Sequence, residues 1–175
     1  MAETYLIRSL NIADEATLWQ MLYHALYVAP GDTPIPPEVV LDPAISKYVL
    51  GWGRTGDQGV LAIVETIVEP VGAAWMRLFS SETAGYGYVD AKTPELSVAV
   101  LPEYRNQGIG TAMLSRLLKE SASRYRAVSL SVSPANPALR LYQRLGFEFF
   151  SNEGESSTMI RRFNESGIKG LREVG

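Results

Sequence analysis

A chain of 175 residues, 46% hydrophobic and 20% charged, is long enough and apolar enough to bury a core without covalent staples. Its net charge of −3 argues against nucleic acid or an anionic membrane as a partner. With no cysteine and one histidine, His24, it has no disulfide, no thiolate nucleophile and no multi-histidine metal cluster.

Met1 to Thr4 carries neither a basic region nor an apolar run, so no signal peptide is expected. No apolar stretch approaches bilayer length, and the expected location is cytoplasmic. Tyr5–Ile7 is a short apolar strand. Asp14 is expected to cap a first helix, whose apolar face is Leu18, Trp19, Leu22, Tyr23 and Leu26 at helical spacing. Four prolines between Pro30 and Pro37 demand a loop. Asp42-Pro43 then opens a short second helix through Tyr48 and Leu50. Val60–Val64 and Val71–Phe79 read as strands, with Gly72 a point for a bulge. Ser80–Thr93 reads as a loop that carries a ragged edge strand.

From Glu95 the pattern sharpens. Leu96, Val98 and Val100 alternate with Ser97 and Ala99, a strand that Pro102 ends. After Gly110, the residues Met113, Leu114, Leu117, Leu118 and Ala122 form the buried stripe of a helix of about four turns. Val128, Leu130 and Val132 alternate with Ser129, Ser131 and Ser133, another strand. Asn136-Pro137 starts a helix that Gly146 stops. Phe147–Phe150 and Thr158–Phe163 make a closing hairpin around Asn152–Ser157. Residues 1–163 are thus expected to form a single domain, and 164–175 a mobile polar tail.

The stretch from Val98 to Thr111 runs from strand through a short loop into a helix opened by Gly108 and Gly110. Unpaired amides at a helix start carry the positive end of the helix dipole, and glycine lets a phosphate approach the backbone closely. The same glycines would equally serve a tight strand-to-helix turn. A P-loop is excluded, because Gly110 is followed by Thr111-Ala112 and not by Lys-Ser/Thr. A G-x-G-x-x-G match spans Gly51 to Gly56, but a strand follows it where a nucleotide-binding fingerprint must open a helix.

Arg105-x-x-Gly108-x-Gly110, after an apolar strand, resembles the acetyl-CoA signature Q/R-x-x-G-x-G/A of the GNAT superfamily. Asn136-Pro137-Ala138-Leu139-Arg140-Leu141-Tyr142, followed by Gly146-Phe147, is similar to that family's N-x-A-x-x-L-Y…G-F pattern. Together the two motifs lie within residues 94–149, about a third of the chain. The resemblance implies an α/β fold with a mixed, mostly antiparallel sheet of six or seven strands flanked by helices. It also implies a splay between the Leu96–Val100 and Val128–Ser133 strands that admits the pantetheine arm of acetyl-CoA.

By the same resemblance, Val98, Ala99 and Val100 lie along that arm. Arg105, Asn106, Gln107, Gly108, Ile109, Gly110 and Thr111 wrap the pyrophosphate, with the Ile109 side chain turned to the core. Asn136 is either a helix cap or a contact to the arm. Tyr142 is either a helix-face aromatic or the acid that protonates the departing thiolate. Glu95 is either a strand-end charge or the base that deprotonates the acceptor. Ser131 stands where some N-terminal acetyltransferases carry a glutamate, so that subgroup is not selected. His24, Trp19, Tyr27, Trp52 and Trp75 are core residues or line an acceptor pocket. Without cysteine, a thiol-linked acyl-enzyme is excluded, and direct transfer from acetyl-CoA to a primary amine is expected.

The expected partners are acetyl-CoA and an amine-bearing small molecule or peptide, with a homodimer compatible and no metal, nucleic acid or membrane required. A non-catalytic acyl-CoA-binding module of the same fold is the alternative.

Overall fold

A computed structural model describes residues 4–164. The tail expected at 164–175 lies, apart from Asn164, outside the described residues. One seven-stranded sheet runs in the order β1-β2-β3-β4-β5-β7-β6, antiparallel at every junction except β4–β5. Its strands are β1 Tyr5–Ser9, β2 Gln58–Val64, β3 Glu69–Arg77, β4 Glu95–Val100, β5 Ala127–Val132, β6 Glu148–Glu153 and β7 Ser156–Arg162.

Helix α1, Glu15–Ala25, is entered through a 3₁₀ turn at Ile12–Asp14. The cap is Asn11 and not Asp14: Asn11 accepts from the Ala13 amide, and Asp14 reaches back to the Asn11 amide in a capping box. Asp14 also takes both ends of the Arg8 guanidinium at 2.7 and 2.8 Å, and this pairing holds its carboxyl below the usual range. The short helix α2, Pro43–Ser46, has Asp42 as its cap and proline at its first position, as its sequence predicts.

The sheet divides the core by alternation. On one face Val60, Ala62, Ala74, Met76, Leu96, Val128 and Leu130 pack against helix α3, Ile109–Ser121, through Met113, Leu114, Leu117 and Leu118. Each of the valine, leucine and methionine side chains contributes about 1.5–3 kcal/mol on burial, which outweighs local propensity. On the other face Leu61, Ala73, Trp75 and Ala99 meet α1 through Leu18, Met21 and Leu22. Helix α4, Ala138–Arg144, brings Tyr142 to the α3 side.

The bulge in β3 falls at Val71, beside Gly72, because Ala62 pairs with Gly72 and Ile63 with Pro70. The 80–93 segment contains no strand and folds back over the sheet as an irregular loop. The final hairpin is longer than its sequence suggests: β6 continues to Glu153 and turns at Gly154 and Glu155.

The loop carrying G-x-G-x-x-G has a structural explanation. Asp57 accepts from the amides of Gly53 and Arg54 and pairs with Arg77, whose guanidinium also donates to the carbonyls of Lys47, Leu50 and Gly51. The glycines let the chain wrap a buried cation.

Candidate functional site

β4 and β5 share a single register pair, Glu95 with Ser129, and then part. The Leu101 amide donates to Val71 on β3 at 2.8 Å, and the Ser129 amide to Pro94 at 3.0 Å. Because backbone groups alternate sides along a strand, Val98 and Val100 direct theirs away from β3, into the gap. The Val100 carbonyl accepts there from Nε of Arg105 at 3.0 Å.

The gap opens into a cleft of about 1060 Å³. One wall is β4 and the loop into α3, with Val98, Ala99, Val100, Arg105, Asn106, Gly108, Ile109, Gly110 and Thr111. The opposite wall carries Asn136 and Tyr142. Two sequence-predicted residues lie elsewhere. Gln107 turns its side chain back to the Glu103 carbonyl at 3.2 Å. Glu95 is buried at the closed end of the gap, outside the lining residues.

The loop into α3 has the geometry of an anion cradle. Asn106 and Gly108 both take positive φ, 60° and 82°. Among the described residues, no protein group accepts a hydrogen bond from the amides of residues 106–111. Gly108 stands at the helix N-cap with no side-chain cap. Six successive free donors at the positive end of a thirteen-residue helix suit a pyrophosphate. The Ile109 side chain is buried in the core, so only its backbone is offered. No glycine is strictly needed at 110, where a Cβ would meet only Val100 at 3.8 Å.

Asn136 is a cap: its Oδ1 accepts from the Ala138 amide at 2.9 Å. Tyr142 packs edge-on against Phe147 and is 7% exposed, with its pKa pushed up to about 12 by burial. The phenol is therefore protonated at neutral pH. Among the described residues, no protein group hydrogen-bonds its hydroxyl.

Glu95 lies on the opposite face of the sheet from Tyr142. Its Oε1 accepts from the Tyr48 hydroxyl at 2.6 Å and from the Gly87 amide at 2.9 Å, while Oε2 is buried and has no partner among the described residues. Burial pushes the carboxyl above the usual range, against the pull of those two donors. Gly87 is required by close approach, because a Cβ there would lie 2.6 Å from the Leu130 carbonyl carbon.

Residues that sequence reasoning missed come from α1, the segment that follows it, and α4. Tyr23, Leu26, Val28 and Ile35 line the cleft from the α1 side, joined by His24 and Tyr27. The His24 pKa is lowered by burial and by the nearby Arg105. Tyr27 donates to the Ala135 carbonyl at 3.0 Å, tying α1 to the segment before α4. Trp52 and Trp75 are core, and the Trp19 indole donates to Glu15 within its own helix. Arg140 and Arg144 also line the cleft; their spacing of four on α4 was the available signal. Among the described residues, no group of three or more His, Asp or Glu could hold a metal, and no helix is long and apolar enough to cross a membrane.

Known proteins resemble this chain in sequence and fold. An N-alpha-acetyltransferase of Sulfurisphaera tokodaii is 46% identical over 56 residues, 30% of this chain and 34% of that protein. The chain thus matches about a third of the length of this curated relative. A GNAT superfamily phosphinothricin acetyltransferase from Sinorhizobium meliloti, solved with acetyl-CoA, superposes with a TM-score of 0.62 at 24% identity, covering 93% of this chain and 90% of that one. A paia N-acetyltransferase from Thermoplasma acidophilum, solved with coenzyme A, gives 0.65 at 18% identity, covering 91% and 99%. The model of the acetyltransferase (GNAT) domain matches residues 57–149, more than half of the chain. The chain belongs to the GNAT acetyltransferase family.

Proposed function

We propose that this protein transfers the acetyl group of acetyl-CoA directly to a primary amine. The observation that carries the reading is the row of six free amides at residues 106–111, set at the mouth of a sheet that parts beyond Glu95–Ser129. The solved relatives that hold acetyl-CoA or coenzyme A support it.

In this reading the amides of 106–111 hold the pyrophosphate, and Arg105, Arg140 and Arg144 add charge around it. The backbone of Val98 and the amide of Val100 pair with the pantetheine arm. For the Val100 carbonyl to join them, Arg105 must release it. Bound in this way, the cosubstrate supplies an activated thioester in the gap.

Tyr142 and Glu95, on opposite faces, then divide the proton work. Glu95 takes a proton from the acceptor ammonium, which frees the nitrogen lone pair to attack the carbonyl carbon. Tyr142 hydrogen-bonds the departing sulfur and delivers its proton. A phenol near 12 is a weaker acid than a thiol near 8.5, so the hydrogen bond carries more of the stabilisation than complete transfer does. Asn136 has its Oδ1 engaged as a cap and contributes to the arm only through its remaining amide group.

The test is turnover of acetyl-CoA with polyamines, aminoglycosides, amino acids and peptide N-termini, read by thiol release. Binding of acetyl-CoA with no release for any amine class would favour a non-catalytic acyl-CoA-binding module.

A further inference from the structure

Two buried side-chain atoms among the described residues have no hydrogen-bond partner, Oε2 of Glu95 and Oγ of Ser129. They are not scattered. Glu95 and Ser129 are directly opposed in the parallel β4–β5 pair, so their side chains leave the same face of neighbouring strands. An unmet buried polar atom costs about 1–3 kcal/mol, and two side by side mark a place where a polar group belongs.

The rest of the carboxyl is held firmly. Tyr48 accepts from the Tyr86 amide at 2.8 Å and donates to Glu95 Oε1 at 2.6 Å. The Gly87 amide gives Oε1 its second donor. Tyr48 is itself fixed by an edge-on contact with Phe79. Over the carboxyl lies the 84–87 turn, tied by Lys47 Nζ to the Ala84 carbonyl as well as by these bonds. The backbone of Gly85 is so close that a Cβ there would stand 2.1 Å from Oε2 and 2.5 Å from the Tyr48 hydroxyl.

We propose that Tyr48 is a positioning residue that clamps Oε1 of Glu95 to the 84–87 turn, leaving Oε2, beside Ser129, as the oxygen that takes the proton. The proposal rests on the reading of Glu95 as the base. Oε1 has two donors and a fixed direction, so the carboxyl cannot rotate to exchange its oxygens without breaking both bonds. When the turn lifts from Oε2, the acceptor ammonium or one bridging water meets Oε2 and the Ser129 hydroxyl. The N–H bond breaks, the Oε2–H bond forms, and the positive nitrogen and negative carboxylate are neutralised together.

Glu95 is faced by Lys47 from the end of α2, by Tyr48, by Gly87 from the loop and by Glu153 from β6, while Tyr86 acts on Tyr48. Lys47 and the hydrogen bonds favour the carboxylate, whereas burial and Glu153 disfavour it. Loss of the Tyr48 donor therefore shifts the balance toward the protonated acid.

The experiment measures kcat/KM against pH with acetyl-CoA and the most active amine among spermidine, kanamycin, methionine and a Ser-Ala dipeptide. Tyr48→Phe is expected to lower kcat at neutral pH by about tenfold, less than the roughly 10²–10⁴-fold that loss of the base itself would cost. Its acid limb should move to higher pH, while the melting shift produced by coenzyme A stays unchanged. Gly85→Ala keeps both Tyr48 and Glu95 but wedges them apart, and should move the same limb. It also serves if Tyr48→Phe does not fold. Glu95→Gln separates the two ideas: if that variant stays fully active, the base assignment itself fails. If Glu95→Gln is inactive and neither Tyr48→Phe nor Gly85→Ala moves the acid limb, the base stands and the positioning role of Tyr48 is overturned.

Discussion

Asp57 and Arg77 meet at 2.7 Å with side chains only 3% and 1% exposed, which places a fully desolvated ion pair where β2 begins and β3 ends. Removing one partner strands the other charge, and such losses run to about 3–5 kcal/mol. Asp57→Ala should lower the urea midpoint accordingly, with Arg77 left holding only carbonyls. A loss below about 1 kcal/mol would show that water reaches the guanidinium.

Gly108 and Gly110 should answer differently to the same substitution. At Gly108, φ is +82°, where an alanine costs about 1–2 kcal/mol and relaxes by rotating the amides out of line. At Gly110 the Cβ has room, and alanine favours the helix by up to about 1 kcal/mol. With acetyl-CoA at a hundred times its dissociation constant, the unsubstituted protein gains about 2.7 kcal/mol by mass action. Thermal melts should show that gain retained in Gly110→Ala and lost in Gly108→Ala, with NAD and ATP inert in all three. Equal behaviour of the two variants would detach the cradle from its conformation.

Tyr142→Phe removes one oxygen and almost no volume from a residue packed on Phe147, so the fold should survive. Loss of a positioned acid costs about 10²–10⁴-fold, and with partial rescue by water kcat should fall at least tenfold. Acetyl-CoA affinity should hold, which identifies an interaction made in the transition state. Preserved kcat would leave Tyr142 a packing residue, and a parallel fall in affinity would make it a binding residue.

The buried Glu95 should leave a mark on stability as well as on rate. Its folded pKa is raised above the ordinary 4.5, so the folded state prefers the protonated acid. The associated stability is present below about 4.5 and is lost as pH rises through the folded value. Urea unfolding of the unsubstituted protein and Glu95→Gln between pH 4 and 8 should show the variant gaining relative stability as pH rises. Asp14, paired with Arg8, titrates the other way but is common to both proteins. A difference independent of pH would mean that folding leaves the pKa of the carboxyl where it is in the unfolded chain.

What was legible in the sequence alone was what depends on neighbours along the chain. The stripe from Met113 to Leu118, the Gly108 entry to α3 and the Asn136 cap each follow from helical spacing and local hydrogen bonding. The cradle is local as well, because its donors are consecutive amides of the turn into α3 and of the first helical turn, which leaves its own unpaired. Asp14 misled because its capping-box role resembles that of a cap, the true cap being three residues earlier.

Glu95 could be named from its place at a strand end, but its environment could not. The groups that govern it are Tyr48, 47 positions earlier, and Gly87, on a loop without periodicity. The α1 wall of the cleft and the Tyr27–Ala135 tie, 108 positions apart, depend on how helices settle on the sheet. The chain order carries the consecutive amides and the strand-end carboxyl; only the packing of distant segments decides which carboxylate oxygen stays free and on which face of the sheet it lies.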